Sequence, residues 1–351
     1  MELDFVKLHG LGNDFVFMDD FSRDINLTKE QVALLCDRHF GIGADGVILV
    51  RPSERSECAA YMHYINSDGT LAQMCGNGVR CFAKYLVDRG YVQASDGQFV
   101  ADTLAGPKPI SFEVDDRDKM TRATVDMGHP ILEPSDVPVN VPANATSADG
   151  AAFAKDVAIT SPWGTFAFTC VSMGNPHAIC FIDDFAQLSD ELFTNANDKS
   201  LATLDLNKIG AYYESHEAFP EKTNVEFAHV RSGAIDMRVF ERGCGETLAC
   251  GTGACATNVA AALTGRSGRE NDIVLRGGTL HILWDENDHV MMTGPAVESF
   301  QGTVEVQTPA KQYEYGSIDE RKQRLRSFVF QAQKLHASTL QPSPCSAQAY
   351  L

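Results

Sequence analysis

Two copies of one local pattern constrain this chain more than any other feature. Cys75-Gly-Asn-Gly78 opens a segment in which Val79, Phe82, Ala83 and Leu86 form an apolar stripe at helical spacing, ending at Gly90. Cys250-Gly-Thr-Gly253 opens a second, Ala-rich segment with Cys255, Val259, Ala262 and Leu263 on one face, ending at Gly265. The cysteines stand at 75 and 250, 175 positions apart, which is half of the 351-residue chain. That spacing predicts two like domains, each presenting one helix with a cysteine at its N-terminus. A chain of this length with 44% hydrophobic residues can build two cores rather than one.

A cysteine at a helix N-terminus sees the positive end of the helix dipole and unpaired N–H groups, which together lower a thiol pKa from about 8.5 toward about 3.5–7.5. The sequence therefore predicts two accessible thiolates. The adjoining glycines leave the same N–H groups open to an anion such as a carboxylate. A carboxylate held between the two helix ends would place its neighbouring carbon between two sulfurs. That geometry suits inversion of a carbon by two bases, one thiolate removing the α-proton and the opposite thiol returning one on the other face. No pyridoxal lysine or phosphate cup is evident, so the reading takes no cofactor and no metal; the carbanion would be stabilised by preorganised N–H donors.

Around these helices the pattern is mostly β. Phe5–His9 alternates like a strand, passes through the turn at Gly10–Asp14, and continues in Phe15–Met18. Further strands are predicted at Gly46–Val50, Ala59–Ile65, Ala123–Met127, Ile179–Ile182, Val225–Ala228 and Ala234–Phe240. Thr28 and Gln31 form a capping box for a helix carrying Val32, Leu35, Cys36 and His39, stopped by Gly41. Residues 134–156, rich in Pro, Ala, Ser and Asn, read as a surface insertion. Beyond about Thr308 the character changes: Ser317 and Glu320 cap an amphipathic helix over 317–336, and 338–351 has the composition of a disordered tail.

The formal net charge of −18 disfavours a nucleic-acid partner, which calls for clustered Lys and Arg. No run of about 18 apolar residues is present to span a bilayer, and the N-terminus lacks the layout of a secretory signal, so the chain is expected to be cytoplasmic. Ten cysteines in that setting are expected to stay reduced. Two readings compete with the paired acid/base one. Cys244, Cys250 and Cys255 could bind zinc, though without the short paired spacing of structural zinc sites, and a redox dithiol would lack a C-x-x-C. A phosphate loop fails because Ala254 follows Gly253 where Lys is required.

Lys7–Phe15, Asp37–Gly46, Asn66–Gly69, Met74–Cys81, Met173–His177, Thr223–Glu226, Glu241–Thr247 and Ala249–Cys255 together resemble, in order, the motifs of diaminopimelate epimerase, over about residues 3–307. The resemblance implies an α/β (α+β) fold of two pseudo-symmetric domains, each a β-rich barrel-like unit around a central helix, with the active site in the cleft between them. It implies domains of 1–126 plus 290–308 and of 127–289, followed by the appended 309–351. It implies interconversion of LL- and meso-diaminopimelate in lysine biosynthesis by Cys75 and Cys250, with His177 and Glu241 tuning the thiols. Asn13, Asn66, Asn175, Asn224 and Arg242 would hold the end of the substrate that does not react, Arg242 by gripping a carboxylate bidentately. Glu241 would accept from the reacting ammonium, and Gly76, Asn77, Gly251 and Thr252 would offer backbone N–H groups to the reacting carboxylate. A homodimer is also implied. Some family members carry Gln at the position of Gly46, a contact that does not transfer. Proline racemase and hydroxyproline epimerase share the paired cysteines but usually read Cys-Gly-His-Gly at the first site, where this chain has Asn77.

Overall fold

The computed structural model describes residues 1–72 and 74–306. The 317–336 helix, the 338–351 tail and residues 307–308 expected in the first domain lie outside the described residues.

Strand pairing follows the chain through the first half: β1 (Glu2–Gly10), β2 (Asn13–Asp19), β3 (Gly46–Arg51), β4 (Ala60–Asn66), β5 (Gln98–Asp102), β6 (Lys108–Val114) and β7 (Met120–Asp126) each pair with the next. Helix α1 (Lys29–Cys36) lies between β2 and β3, and α2 (Gly76–Asp88) between β4 and β5. The second half begins with the short hairpin of β8 (Ala145–Thr146) and β9 (Ala152–Phe153). It continues through β10 (Val157–Ser161), β11 (Gly164–Ser172), β12 (Pro176–Phe181), α3 (Leu206–Glu214), β13 (Asn224–Arg231), β14 (Ala234–Glu241), β15 (Gly245–Glu246) and α4 (Gly251–Thr264). It ends with β16 (Glu270–Leu275), β17 (Gly278–Trp284), β18 (Val290–Pro295) and β19 (Val297–Glu305).

β18 joins the halves, pairing with β17 on one side and β7 on the other, and β19 then pairs antiparallel with β1. The ladders mix hands: β2–β3, β4–β5, β12–β13 and β14–β16 are parallel, the rest antiparallel. Among the described residues no helix is long and apolar enough to cross a membrane.

Each half wraps its strands around one cysteine-led helix. In α2 the predicted stripe of Val79, Phe82, Ala83 and Leu86 is wholly buried, against β1, β2 and β7. Helix α4 is apolar nearly all round and buries Ala254, Cys255, Ala256, Val259, Ala260 and Ala261 completely, the signature of a central helix. Burying side chains such as Phe82 and Leu86 contributes about 2–3 kcal/mol each. These helices cannot shift without opening both cores, so their N-termini are fixed points.

Two sequence expectations need correction. Helix α1 stops at Cys36, before His39, because Asp37 takes an extended conformation and its carboxylate caps the N–H groups of His39 and Phe40. The 134–156 segment is not purely superficial: Val137, Phe153 and Ala154 are almost fully buried, although much of the stretch between Val137 and Phe153 is exposed.

Candidate active site

The first turns of α2 and α4 meet. A Cβ placed on Gly251 would lie 3.8 Å from Gly76 Cα and 3.0 Å from Met292 Sδ, and one on Gly76 would lie 2.8 Å from Met292 Cε. The two helix ends thus approach to van der Waals contact at these glycines, with the Met292 side chain packed against both. Cys75 and Cys250 are the N-caps of the two helices, both in extended conformation, so both sulfurs stand where the helix N–H groups open.

A chain of hydrogen bonds crosses between the halves beside them. Cys75 Sγ–H donates to Asn13 Oδ1 at 3.4 Å, and the same oxygen accepts from Asn77 Nδ2 at 3.2 Å. Asn77 Nδ2 also donates to the carbonyl of Ala249, the residue before Cys250, at 3.2 Å. On the other side, Gly253 N–H donates to Cys250 Sγ at 3.4 Å, and Thr252 Oγ1 lies 3.5 Å from that sulfur.

The thiols themselves contradict the expectation of lowered pKa values. Burial pushes Cys75 up, against the N–H groups of Gly78 and Asn77 that favour its thiolate. Cys250, only 5% exposed, is pushed well above the usual thiol value by burial and then by the carboxylates of Glu241 and Glu226, against Thr252 and Gly253. Desolvation outweighs the helix end at both thiols. Glu241 is raised too, first by burial; Thr247, whose hydroxyl donates to its carboxylate, and His177 oppose this.

His177 is completely buried. Its Nδ1–H donates to Glu226 Oε1 at 2.6 Å, and its Nε2 lies 3.1 Å from Asn175 Oδ1. It sits directly across the β12–β13 ladder from Asn224. Asn224 is nearly buried and braces two turns, donating to the Pro176 carbonyl at 2.8 Å and accepting from the Arg242 N–H at 3.0 Å. The exposed Arg242 side chain donates to the Glu221 carbonyl at 3.1 Å and has no carboxylate partner among the described residues. Asn13 Nδ2 donates to Asp45 at 2.6 Å. Asn66 ends β4 opposite Gly46 and donates to Thr70 at 3.0 Å.

Thus Asn13, Asn77 and Asn224 have their amides engaged by the protein, whereas Arg242 keeps its charge free. Asn77 is almost buried, so any contact with a ligand falls to its backbone. At Gly46 a Cβ would come within 2.6 Å of the Tyr64 ring, which occupies the space a longer residue would need.

Sequence reasoning missed Glu226, Arg80 and Asp45 as parts of this site. Glu226 was legible in principle: strand alternation puts it on the face of Asn224. Arg80 was not, since a lone Arg beside an apolar stripe reads as a solvated position. Cys244, Cys250 and Cys255 do not converge, and among the described residues no group of three or more His, Cys, Asp or Glu could hold a metal.

Known proteins resemble this chain over most of its length. The family model described as diaminopimelate epimerase matches residues 5–133 and 169–298. A diaminopimelate epimerase from Desulfitobacterium hafniense is 44% identical over 306 residues, covering 86% of this chain and 98% of the relative. One from Leptospira biflexa is 42% identical over 307 residues, covering 87% and 100%. Among solved structures, a hydroxyproline epimerase from Agrobacterium vitis matches with a TM-score of 0.59 at 15% identity, covering 88% of this chain and 94% of that one, which shows a shared fold.

Proposed function

The chain belongs to the diaminopimelate epimerase family, and from that premise we propose how its own residues carry the interconversion of LL- and meso-diaminopimelate, an isomerase reaction of lysine biosynthesis. Cys75 and Cys250 are the two acid/base groups. The observation that carries this reading is the contact of two cysteine-capped helix ends at Gly76 and Gly251.

The substrate has two amino-acid ends, and only one reacts. At the distal end Arg242 grips the carboxylate, and Asn66 and Asn175 offer amide contacts; Asn13 and Asn224 contribute the amide capacity their protein bonds leave over. At the reacting end the carboxylate lies across the N–H groups of Gly76, Asn77, Gly251 and Thr252, and Glu241 accepts from the ammonium. The α-carbon then stands between the sulfurs. One thiolate takes the α-proton and becomes a thiol, electron density moves into the carboxylate, and the helix N–H groups stabilise the enolate-like charge. The opposite thiol delivers its proton to the other face and is left as thiolate. Each turnover therefore exchanges the protonation states of the two cysteines. His177 and Glu241 tune them, since both lie within the electrostatic reach of Cys250 or its neighbours.

These assignments divide the chain into 1–126 with 290–308, and 127–289. A homodimer fits the edge strand β19, which pairs only with β1 among the described residues and exposes Val297 and Phe300. A cytoplasmic location fits nine unpaired thiols among the described residues.

The deciding assay offers LL-diaminopimelate and L-proline separately in D2O and follows inversion and α-proton exchange. Turnover of diaminopimelate, with loss of at least about 10²-fold in Cys75→Ala and in Cys250→Ala, is expected. Turnover of proline alone, or near-normal activity in either mutant, refutes the reading.

A further inference from the structure

Arg80 is the largest side chain among the described residues with no exposed surface, and the mechanism above does not use it. It lies one turn beyond Gly76 on α2, in a slot cleared by two glycines. A Cβ on Gly10 would stand 3.0 Å from Nη2, and one on Gly294 would stand 3.1 Å from Nε. Its donors reach only neutral acceptors: Nη1 to the Gly76 carbonyl at 3.2 Å and Met292 Sδ at 3.5 Å, Nη2 to Asn77 Oδ1 at 2.8 Å, and Nε to the Pro295 carbonyl at 3.3 Å. No carboxylate pairs with it among the described residues.

A buried charge without a counter-charge is costly, and a guanidinium cannot shed its proton to escape that cost. The ionisable groups that face Arg80 are three thiols, Cys81, Cys75 and Cys255. Cys81 and Cys255 have no exposed surface, and burial pushes both far up, Cys255 to about 12, so neither ionises under working conditions. Cys75, by contrast, is only half-buried and caps the helix on which Arg80 stands.

We propose that Arg80 is a positioning residue: its guanidinium is the buried counter-charge of the Cys75 thiolate and locks the Asn77 amide that ties the two half-sites together. The second role follows from the bond network. With Oδ1 held by Arg80, Asn77 must turn Nδ2 toward Asn13 Oδ1 and the Ala249 carbonyl, and the cation polarises both of those bonds. The first role makes the paired thiols unequal. Cys75 faces Glu241 from the far half, which disfavours its thiolate, Arg80 from its own helix, which opposes Glu241, and Tyr64 from β4, whereas Cys250 faces the carboxylates of Glu241 and Glu226 with no cation to offset them among the described residues. The resting thiolate therefore belongs on Cys75.

The proposal rests on Cys75 acting as an acid/base group, and its test reads the thiol directly. Full-length enzyme is alkylated with iodoacetamide across a range of pH, and mass spectrometry follows the Cys75 and Cys250 peptides separately. In the wild-type protein Cys75 should have the lower midpoint. Arg80→Gln should raise the Cys75 midpoint by about one pH unit or more, and carry the acid limb of the kcat/KM profile with it, while Cys250 stays in place. Arg80→Lys, which keeps the charge, should return the midpoint toward wild type while kcat stays low for want of the planar fork. An unmoved Cys75 midpoint in folded Arg80→Gln overturns the proposal. If that variant does not fold, a wild-type Cys250 more acidic than Cys75 overturns it as well. Inactive Cys75→Ala together with an unmoved midpoint sinks only the role of Arg80; active Cys75→Ala sinks the acid/base reading instead.

Discussion

Gly253→Ala should damage this enzyme in a way that the matching change in the other helix, Gly78→Ala, does not. Both glycines are the third residue after their cysteine, in the first turn of a helix, where alanine is intrinsically better by about 0.5–1 kcal/mol. Their surroundings differ. A Cβ on Gly253 would stand 2.7 Å from Glu226 Oε1, the atom that accepts from His177, and 3.4 Å from Cys250 Sγ. Reaching ordinary contact means opening that gap by roughly 0.7 Å, from the ordinary contact distance of 3.4 Å and above. Glu226 is completely buried and has no free space to enter, so the 2.6 Å bond to His177 stretches or the helix start moves. Losing a charge-assisted hydrogen bond costs about 1.5–3 kcal/mol, which leaves a net loss of about 1–2 kcal/mol after the helix gain. Displacing the Cys250 sulfur by a fraction of an ångström should lower kcat/KM by about 10–10²-fold. A Cβ on Gly78 meets Met62 Cε at 3.0 Å, the end of a flexible side chain that can swing away, so the helix gain should survive. Thermal melts and epimerisation rates of the two variants side by side give the answer. A Gly253→Ala protein as stable and as active as Gly78→Ala would refute the claim that Glu226 is wedged beneath the first turn of α4.

Burial alone would raise the Asp14 carboxyl, but Arg38 and Lys7, each 2.8 Å away, outweigh it and hold the group at about 2. A depressed folded value stabilises above the unfolded value near 3.8 and is lost as pH falls through about 2, so Asp14→Asn should cost about 2 kcal/mol at pH 7 and about half that at pH 3, by urea unfolding. His289 has the opposite sign: its bond to Asp126, 2.8 Å long, raises it, so the contribution is complete below the unfolded value near 6.5 and vanishes as pH rises through the folded one. His289→Gln should therefore lower the melting temperature at pH 5.5 and leave it unchanged at pH 9; equal losses at both would refute the pairing. Because burial raises both catalytic thiols, kcat/KM should climb from pH 6 toward pH 9, and a profile flat from pH 6 would show that the thiolate forms more easily than this burial implies.

The sequence made the two helices legible because their signals are local: a cysteine and two glycines at the start, an apolar stripe, a glycine at the end. The Thr28 cap was legible for the same reason, and the structure shows both halves of that capping box. What it hid was non-local. Strand β11 escaped because its second half, Phe168 to Ser172, is buried on both faces and so lacks alternation. Asn224 is assigned to the substrate by the family motif that holds it, and that motif gives no sign that its amide is also tied to Pro176 and Arg242, partners 48 and 18 positions away. The thiol acidities were misjudged because helix-end N–H groups are visible in a motif, while the desolvation that outweighs them depends on how the two halves close. Glu226 and Arg80 went unassigned because a charge in the sequence gives no sign of being sealed.

That last pair explains how a repeated scaffold serves a reaction whose two directions are not equivalent. Matching Cys-Gly-x-Gly turns supply equal geometry to both faces of a carbon. If the surroundings were equal too, neither thiol would be preferred, and the free enzyme would divide among forms ready for one isomer, ready for the other, or for neither. Here the surroundings are unequal: Glu241 bears on both thiols, the buried Arg80 opposes it at Cys75, and Glu226 adds to it at Cys250. That inequality drives the single proton of a thiol–thiolate pair toward Cys250. The equilibrium between substrates is untouched by this, since a catalyst cannot move it, but the fraction of free enzyme ready for the isomer whose α-proton faces Cys75 rises. The two directions should consequently saturate differently, and Arg80→Gln should narrow that difference by changing the ratio of the two kcat values, while the ratio of the two kcat/KM values stays fixed by the equilibrium. An unchanged kcat ratio would mean that Arg80 only holds the fold.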